Sequence, residues 1–278
     1  MGLPMEQAIT DLSERNKSLK PPEQDGDYMK DGFVYCGKCH TPRQIEVDFG
    51  IEKRVVWTMC KCMAEESDRQ IAEKEQKRIA ELREKAFPSR EMRNWTFAND
   101  DRKNSRISDA MKRYAERFPE YAKEGKGLLL YGGVGTGKTY LAACIVNEVI
   151  QTQRTALMTS FSRILNRIQE VFEQRQEYID GICSKQLLVI DDLGVERDSQ
   201  YALEQVYNVI DRRYQSGKPL IVTTNLSLQE IANCRDMDRK RIYDRILAMC
   251  HPVEVSGESR RKVAARNDFK AFNAELGL

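Results

Sequence analysis

The run Gly132-Gly133-Val134-Gly135-Thr136-Gly137-Lys138-Thr139 follows the pattern G-x-x-x-x-G-K-[ST]. The chemistry of such a run is phosphate binding. Glycines let the backbone curl until several N–H groups converge on a polyphosphate, and a helix starting there adds its partial positive charge. Lys138 would reach the β- and γ-phosphates, and the Thr139 hydroxyl would hold Mg²⁺. Leu128-Leu129-Leu130-Tyr131 reads as an apolar strand in front of the loop, and residues 140–149 as a helix behind it. A chance glycine-rich turn would lack that setting. The eight loop residues and the adjoining Tyr140 are therefore the candidate nucleotide-binding set.

A nucleotide site needs a second half. Leu187-Leu188-Val189-Ile190 is an apolar strand ending in Asp191-Asp192, at the end where α/β sheets place their ligands. Asp191 is expected to act on the Mg²⁺ shell and Asp192 to polarise the attacking water. Phosphoryl transfer requires positioning and charge stabilisation more than covalent chemistry. A later strand ends in Thr223-Thr224-Asn225, which would set Asn225 beside that pair, near the γ-phosphate. Cations follow. Arg241 and Arg245 share one helix face, and Arg260-Arg261-Lys262 opens the last helical stretch. An ATPase needs guanidinium charge on the transferring group, although a solvated or DNA-facing surface would show the same pattern.

A different chemistry is written nearer the start. Cys36, Cys39, Cys60 and Cys62 form C-x₂-C-x₂₀-C-x-C, and four thiolates suit tetrahedral Zn²⁺. Residues 45–49 and 54–58 between the pairs read as two short strands, the outline of a zinc ribbon, with His40 as a spare ligand. A redox role for Cys36 and Cys39 lacks the thioredoxin-like βαβ context. So small a unit cannot bury enough core alone, and metal would supply most of its folding energy. Cys144, Cys183, Cys234 and Cys250 lie singly and read as buried thiols.

The elements that must position these groups follow from periodicity and breakers. Residues 1–30 are polar, broken at Pro21-Pro22, and read as a flexible segment. The cysteine unit covers 31–63. Residues 64–88 carry nearly balanced charge with sparse apolar positions (Ile71, Ile79, Leu82), a solvated linker helix held by i,i+4 pairs and ended by Pro88. From residue 89 to 278 strands alternate with helices. Strands are expected at 128–131, 155–159, 187–190, 219–224 and 253–255, with helices at 161–172 and 201–215, which gives a parallel sheet covered on both faces. The chain has 278 residues, 41% hydrophobic and 32% charged, with a net charge of +2 and a mean hydropathy of −0.61. Nucleic-acid binding must then come from a local patch and not from global attraction. No apolar run reaches the length of a membrane span, and the first residues show no secretory pattern, so a cytoplasmic location and no membrane partner are expected.

Taken together, Gly132 to Thr139, Leu187 to Gly194, Ala202-Leu203-Glu204-Gln205-Val206-Tyr207, Lys218 to Leu226 and Gly257-Glu258-Ser259 resemble the DnaC/IstB-type AAA+ ATPases over about residues 90–270. A cysteine module and charged helix in front resemble the replicative helicase loaders of bacteria and their phages. The resemblance implies an AAA+ P-loop parallel sheet flanked by helices, five-stranded and without a lid domain, behind a zinc ribbon-like module and a linker helix. It implies ATP, Mg²⁺ and Zn²⁺ as cofactors. The implied partners are a replicative hexameric helicase gripped by the N-terminal module, single-stranded DNA, and further copies of the chain in an ATP-dependent hexamer. By position, Asn225 resembles sensor 1, Arg245 the arginine finger and Arg261 sensor 2, with Lys138 and Asp192 completing the catalytic set. Asp192 stands where many relatives have Glu, which implies slow hydrolysis, and Arg260 adjoins Arg261. Phe161, Ser162, Arg163 and Arg167 are candidates for the DNA-facing surface. Two other readings are an IstB-like helper of DNA transposition and an ATP-binding adaptor without turnover.

Overall fold

The computed structural model describes residues 25–50, 52–194 and 199–276. The chain divides into two units, Met1–Gln76 and Lys77–Leu278. In the first, β1 (Tyr28–Lys30) pairs antiparallel with β2 (Phe33–Tyr35), and β3 (Gln44–Asp48) with β4 (Lys53–Trp57). The β3–β4 hairpin falls one residue from the strands expected around it. The segment expected to be flexible lies outside the described residues as far as residue 24. This unit has almost no apolar interior. Cys36, Cys60 and Arg43 are its only buried side chains among the described residues. Arg43 is ion-paired with Asp27 and lies 3.5 Å from Met63 Sδ.

Helix α1 (Lys61–Ala86) is built from strong helix formers and stops two residues before Pro88, as a residue preceding proline disfavours the helical region. Its exposed turns carry Lys61–Glu65 and Arg69–Glu66 ion pairs. One expectation is corrected here. The helix is not solvated all round, because Ile79, Leu82 and Ala86 pack against the core of the second unit. Those positions recur at three and four residues, so a short apolar stripe was enough to dock the last two turns.

Helices α2 (Ser105–Glu116) and α3 (Phe118–Glu124) precede β5 (Gly127–Tyr131). Then come α4 (Lys138–Gln151), β6 (Ala156–Ser160), α5 (Phe161–Glu170), α6 (Arg175–Cys183), β7 (Leu187–Leu193), α7 (Gln200–Gln215), β8 (Leu220–Thr224), α8 (Leu228–Ala232), α9 (Met237–Met249), β9 (Cys250–Glu254) and α10 (Arg260–Leu276). The strands form one parallel sheet in the order β6-β7-β8-β5-β9. Successive side chains point to opposite faces, so a strand covered on both sides must be apolar throughout. Leu128, Leu130, Val189 and Ile221 enter the core under α2 and α4, while Leu129, Leu188, Ile190 and Val222 enter the core under α5, α6, α7 and α9. Among the described residues a single helix follows β9. None of the helices described is long and apolar enough to cross a membrane.

Other details differ from the reading of the sequence, among them the fifth strand, expected at 253–255 and found at Cys250–Glu254. Helix α5 ends at Glu170, and residues 172–174 form a 3₁₀ turn. Phe161 is buried in the core with Ile164, Leu165 and Ile168, all on one helical face, so it cannot face DNA, whereas Ser162, Arg163 and Arg167 are exposed. Cys234 is only half-buried, unlike Cys144, Cys183 and Cys250.

Arg213 was not singled out by its sequence context, yet its side chain is wholly buried below the sheet. Nη1 donates to the carbonyls of Cys183 and Lys185, both at 2.7 Å, and Nη2 to those of Gln186 and Pro219. Burial pulls its pKa down to about 10. The guanidinium thus satisfies carbonyls just ahead of β7 and β8, of which only that of Pro219 also accepts from a neighbouring strand, the Leu188 N–H at 3.5 Å, among the described residues. Arg213→Ala is expected to cost about 3 kcal/mol or more, since hydrogen bonds to a charged donor are worth more than neutral ones and their removal orphans buried acceptors. Chemical denaturation checks this; a midpoint within error of the parent would contradict it.

Candidate functional site

The phosphate loop leaves β5 at Tyr131 and enters α4 through Gly137, which caps the helix with a left-handed φ of 104°. Lys138 is the first helical residue and is almost wholly buried. Its Nζ donates to the carbonyls of Gly132 (2.9 Å) and Gly133 (2.7 Å) and to Asn225 Oδ1 (2.8 Å). Burial lowers its pKa, opposed by the nearby charges of Asp192 and Asp191. The Thr136 hydroxyl closes the loop onto the Gly133 carbonyl at 3.0 Å.

Sheet order does the rest. Because β8 lies between β5 and β7, the residue after β8 reaches Lys138 and the residues at the end of β7 reach Thr139. The Thr139 hydroxyl donates to Asp191 Oδ1 at 3.0 Å, and the Thr223 hydroxyl donates to the same oxygen at 2.6 Å. Burial raises the pKa of Asp191, opposed by those two hydrogen bonds. Asp192 takes φ 58°, an uncommon conformation for a residue with a side chain, and its N–H donates to Thr223 Oγ1 at 3.0 Å. A register shift between Ile190 and Leu193 accompanies it. The kink turns Asp192 out of the strand and into the cleft.

That cleft, about 370 Å³, is lined by Val134, Gly135, Gly137, Lys138, Thr139, Tyr140, Asp192, Asn225 and Arg261, all expected from sequence. Gly132, Gly133 and Thr136 form the loop behind Lys138, and Asp191 sits behind Thr139. Arg260, the neighbour weighed beside Arg261, completes the lining with Trp95, Asn99, Asp100 and Asp101, which were not foreseen. Trp95 packs on the Tyr140 ring at 5.5 Å. Thr223 was also missed, although a threonine buried at the end of an apolar strand is the kind of signal that marks it. Arg245 is not brought to this cleft. It pairs with Asp211 at 2.9 Å and lies 4.5 Å over the Tyr214 ring, on α9. The donor set suits a magnesium nucleotide: converging loop amides and an ammonium for phosphate, with a hydroxyl and a carboxylate side by side for the cation.

The ligand atoms of Cys36, Cys39, Cys60 and Cys62 all lie within 4.8 Å of one another. Two Sγ pairs, Cys36–Cys62 and Cys60–Cys62, stand at 3.6 and 3.4 Å. Tetrahedral zinc with 2.3 Å Zn–S bonds places its sulfurs about 3.8 Å apart, so the cluster fits the ion. The turn is set by His40 N–H donating to the Cys36 carbonyl (2.9 Å) and Cys36 N–H donating to the Thr41 carbonyl (3.0 Å). Bonding to Cys60 pushes the Cys62 thiol up to about 12, while the Thr41 hydroxyl draws Cys39 down to about 5. Four crowded sulfurs cannot all ionise without a cation among them. His40 is not part of the set; its Nδ1 meets the Tyr28 hydroxyl at 3.3 Å.

Residues 57–268 match the family described as IstB-like ATP binding protein. The replicative helicase loader DnaI of Bacillus subtilis is 25% identical over 167 residues, covering 56% of this chain and 52% of that protein. The replicative helicase loader DnaC of Escherichia coli K12 is 27% identical over 141 residues, covering 48% and 58%. The chain thus spans little more than half the length of these relatives. Among solved structures, a DnaI crystal structure superposes with a TM-score of 0.53 at 31% identity, over 63% of this chain and 95% of that one. The DnaC helicase loader shares the fold, with a TM-score of 0.54 at 21% identity over 60% and 100%.

Proposed function

The chain belongs to the IstB-like ATP-binding family, and from that premise we propose that it is an ATP-dependent loader that delivers a replicative hexameric helicase onto single-stranded DNA. The observation carrying this is the joined set Lys138, Thr139, Asp191 and Asn225 on a fold shared with DnaI and DnaC. ATP would sit with its phosphates on the loop amides and Lys138. Thr139 and Asp191 would hold Mg²⁺, which would supply charge neutralisation to the phosphates when bound. Asp192, turned into the cleft, accepts a hydrogen bond from water and aims it in line. Asn225 gives Lys138 a partner and reports the γ-phosphate through the same amide. Hydrolysis would act as a timing switch, and the cysteine unit would grip the helicase.

Loading is tested with the full chain, a purified hexameric helicase and a closed single-stranded circle. ATP-dependent helicase capture and unwinding are expected. Capture of a transposase with no helicase binding would favour the transposition helper.

Arg245 lies apart from its own cleft, which fits service to a neighbouring subunit. Arg245→Ala should then lower turnover far more than binding; fingers supplied in trans reach about 10³–10⁵ in rate in well-studied GTPases, and less is expected here. Mixing Arg245→Ala with Lys138→Ala chains should restore part of the hydrolysis that each lacks. No recovery on mixing would end the shared-site reading.

A further inference from the structure

Two segments remote in sequence meet over the phosphate loop, and one arginine joins them. The first leads from Trp95 to Asn104. Its near end is fixed to α4, because Asn147 Nδ2 donates to the carbonyls of Met92 (3.1 Å) and Trp95 (2.8 Å), and the Tyr140 hydroxyl to that of Thr96 (2.9 Å). The second leads from Val255 into α10. Its Arg260 N–H donates to the Gly135 carbonyl at 2.9 Å, and Asn104 Nδ2 donates to the Ser256 carbonyl at 3.0 Å. The packing leaves no room. A Cβ at Gly135 would stand 2.2 Å from Ser259 Oγ, and one at Gly137 would stand 2.5 Å from Arg260 Nη1.

The Arg260 guanidinium therefore lies against the start of α4. Its Nη2 meets Asp101 Oδ1 at 2.7 Å and Asp100 Oδ1 at 3.5 Å. The Asp100 side chain is only 2% exposed, and a buried carboxylate beside a phosphate site requires a cation. Arg261 lines the same cleft, and among the described residues no ion pair holds it. Lys138, whose pKa is lowered first by burial, is lowered further by the charge of Arg261.

We propose that Arg260 with Asp100 and Asp101 forms a clasp that sets how fast nucleotide leaves the cleft, while Arg261 is the arginine that faces the phosphates. The proposal rests on the cleft being a nucleotide site. For nucleotide to leave, the segment before α2 and the start of α10 must part, and the ion pair holds them together beside the Asn104–Ser256 hydrogen bond. Arg260 is thus a positioning residue whose charge is already spoken for by two carboxylates.

The test is release of fluorescent ATP and ADP analogues from the full chain, followed by stopped flow. Arg260→Gln and Asp101→Asn should each speed release about fivefold or more, and the double variant should be no faster than either, as residues acting as one contact are non-additive. Arg260→Lys, which keeps the charge, should fall between, and thermal melts separate a folding defect from faster release. Arg261→Gln should instead weaken ATP more than ADP. If Asp101→Asn slows release while Arg260→Gln speeds it, Arg260 is a phosphate ligand and the clasp is refuted. Additive effects, or unchanged release in both single variants, refute it equally. Failure of the site itself would be seen separately, as unaltered ATP binding in Lys138→Ala.

Discussion

Lys138→Ala is expected to abolish tight ATP binding while the second unit stays folded. Its ammonium is the one cation within the phosphate loop, and its three acceptors converge on one buried point. Truncating one side of a desolvated charge contact costs about 2–5 kcal/mol. That corresponds to a loss of roughly 30- to several-thousand-fold in affinity. The fold should survive, because neither core includes this side chain. Calorimetry with Mg-ATP decides it, beside a thermal melt as control. An unchanged dissociation constant would remove the nucleotide site from this loop.

Removal of zinc is expected to unfold the first unit and leave ATP binding intact. Freshly isolated chain should carry about one zinc, held by Cys36, Cys39, Cys60 and Cys62. The unit's described buried side chains are two of those ligands and Arg43, so no apolar core remains once the metal is gone. Structural zinc contributes about 10–16 kcal/mol of apparent binding free energy in small zinc-finger peptides, far more than two short hairpins supply by themselves. Cys36→Ser, or a strong chelator, should abolish amide protection in residues 28–57 on hydrogen exchange. The sheet unit, with two cores of its own, should keep its protection and its affinity for ATP. A freshly isolated chain free of zinc by elemental analysis, yet protected in those hairpins, would overturn the assignment.

What could be read from sequence was whatever local chemistry or period fixes. A run of glycines ending in Lys138-Thr139 can only be written one way around a phosphate, and paired cysteines announce a metal wherever the chain places them. Apolar strands such as 187–190 and the stripe on α7 carry their burial in their own spacing. The spacing also held the answer for Phe161, three, four and seven residues ahead of Ile164, Leu165 and Ile168, although its place beside exposed arginines suggested a surface. Sheet order was a different matter. Asn225 was expected beside Asp191 and Asp192, but only the tertiary structure inserted β8 between β5 and β7, which brings Asn225 to Lys138 across 87 residues and aims the Thr223 hydroxyl at Asp191. Likewise, the resemblance pointed to Arg261, left its neighbour Arg260 without a role and gave no signal for Arg213, and the three met different fates. Arg213 is buried on carbonyls, Arg260 is taken by Asp100 and Asp101, and Arg261 is left facing the cleft. The reason is physical. A side chain's identity fixes what it can bond, but a charge's partner is decided by distance, and distances between remote segments exist only once the sheet has set its order.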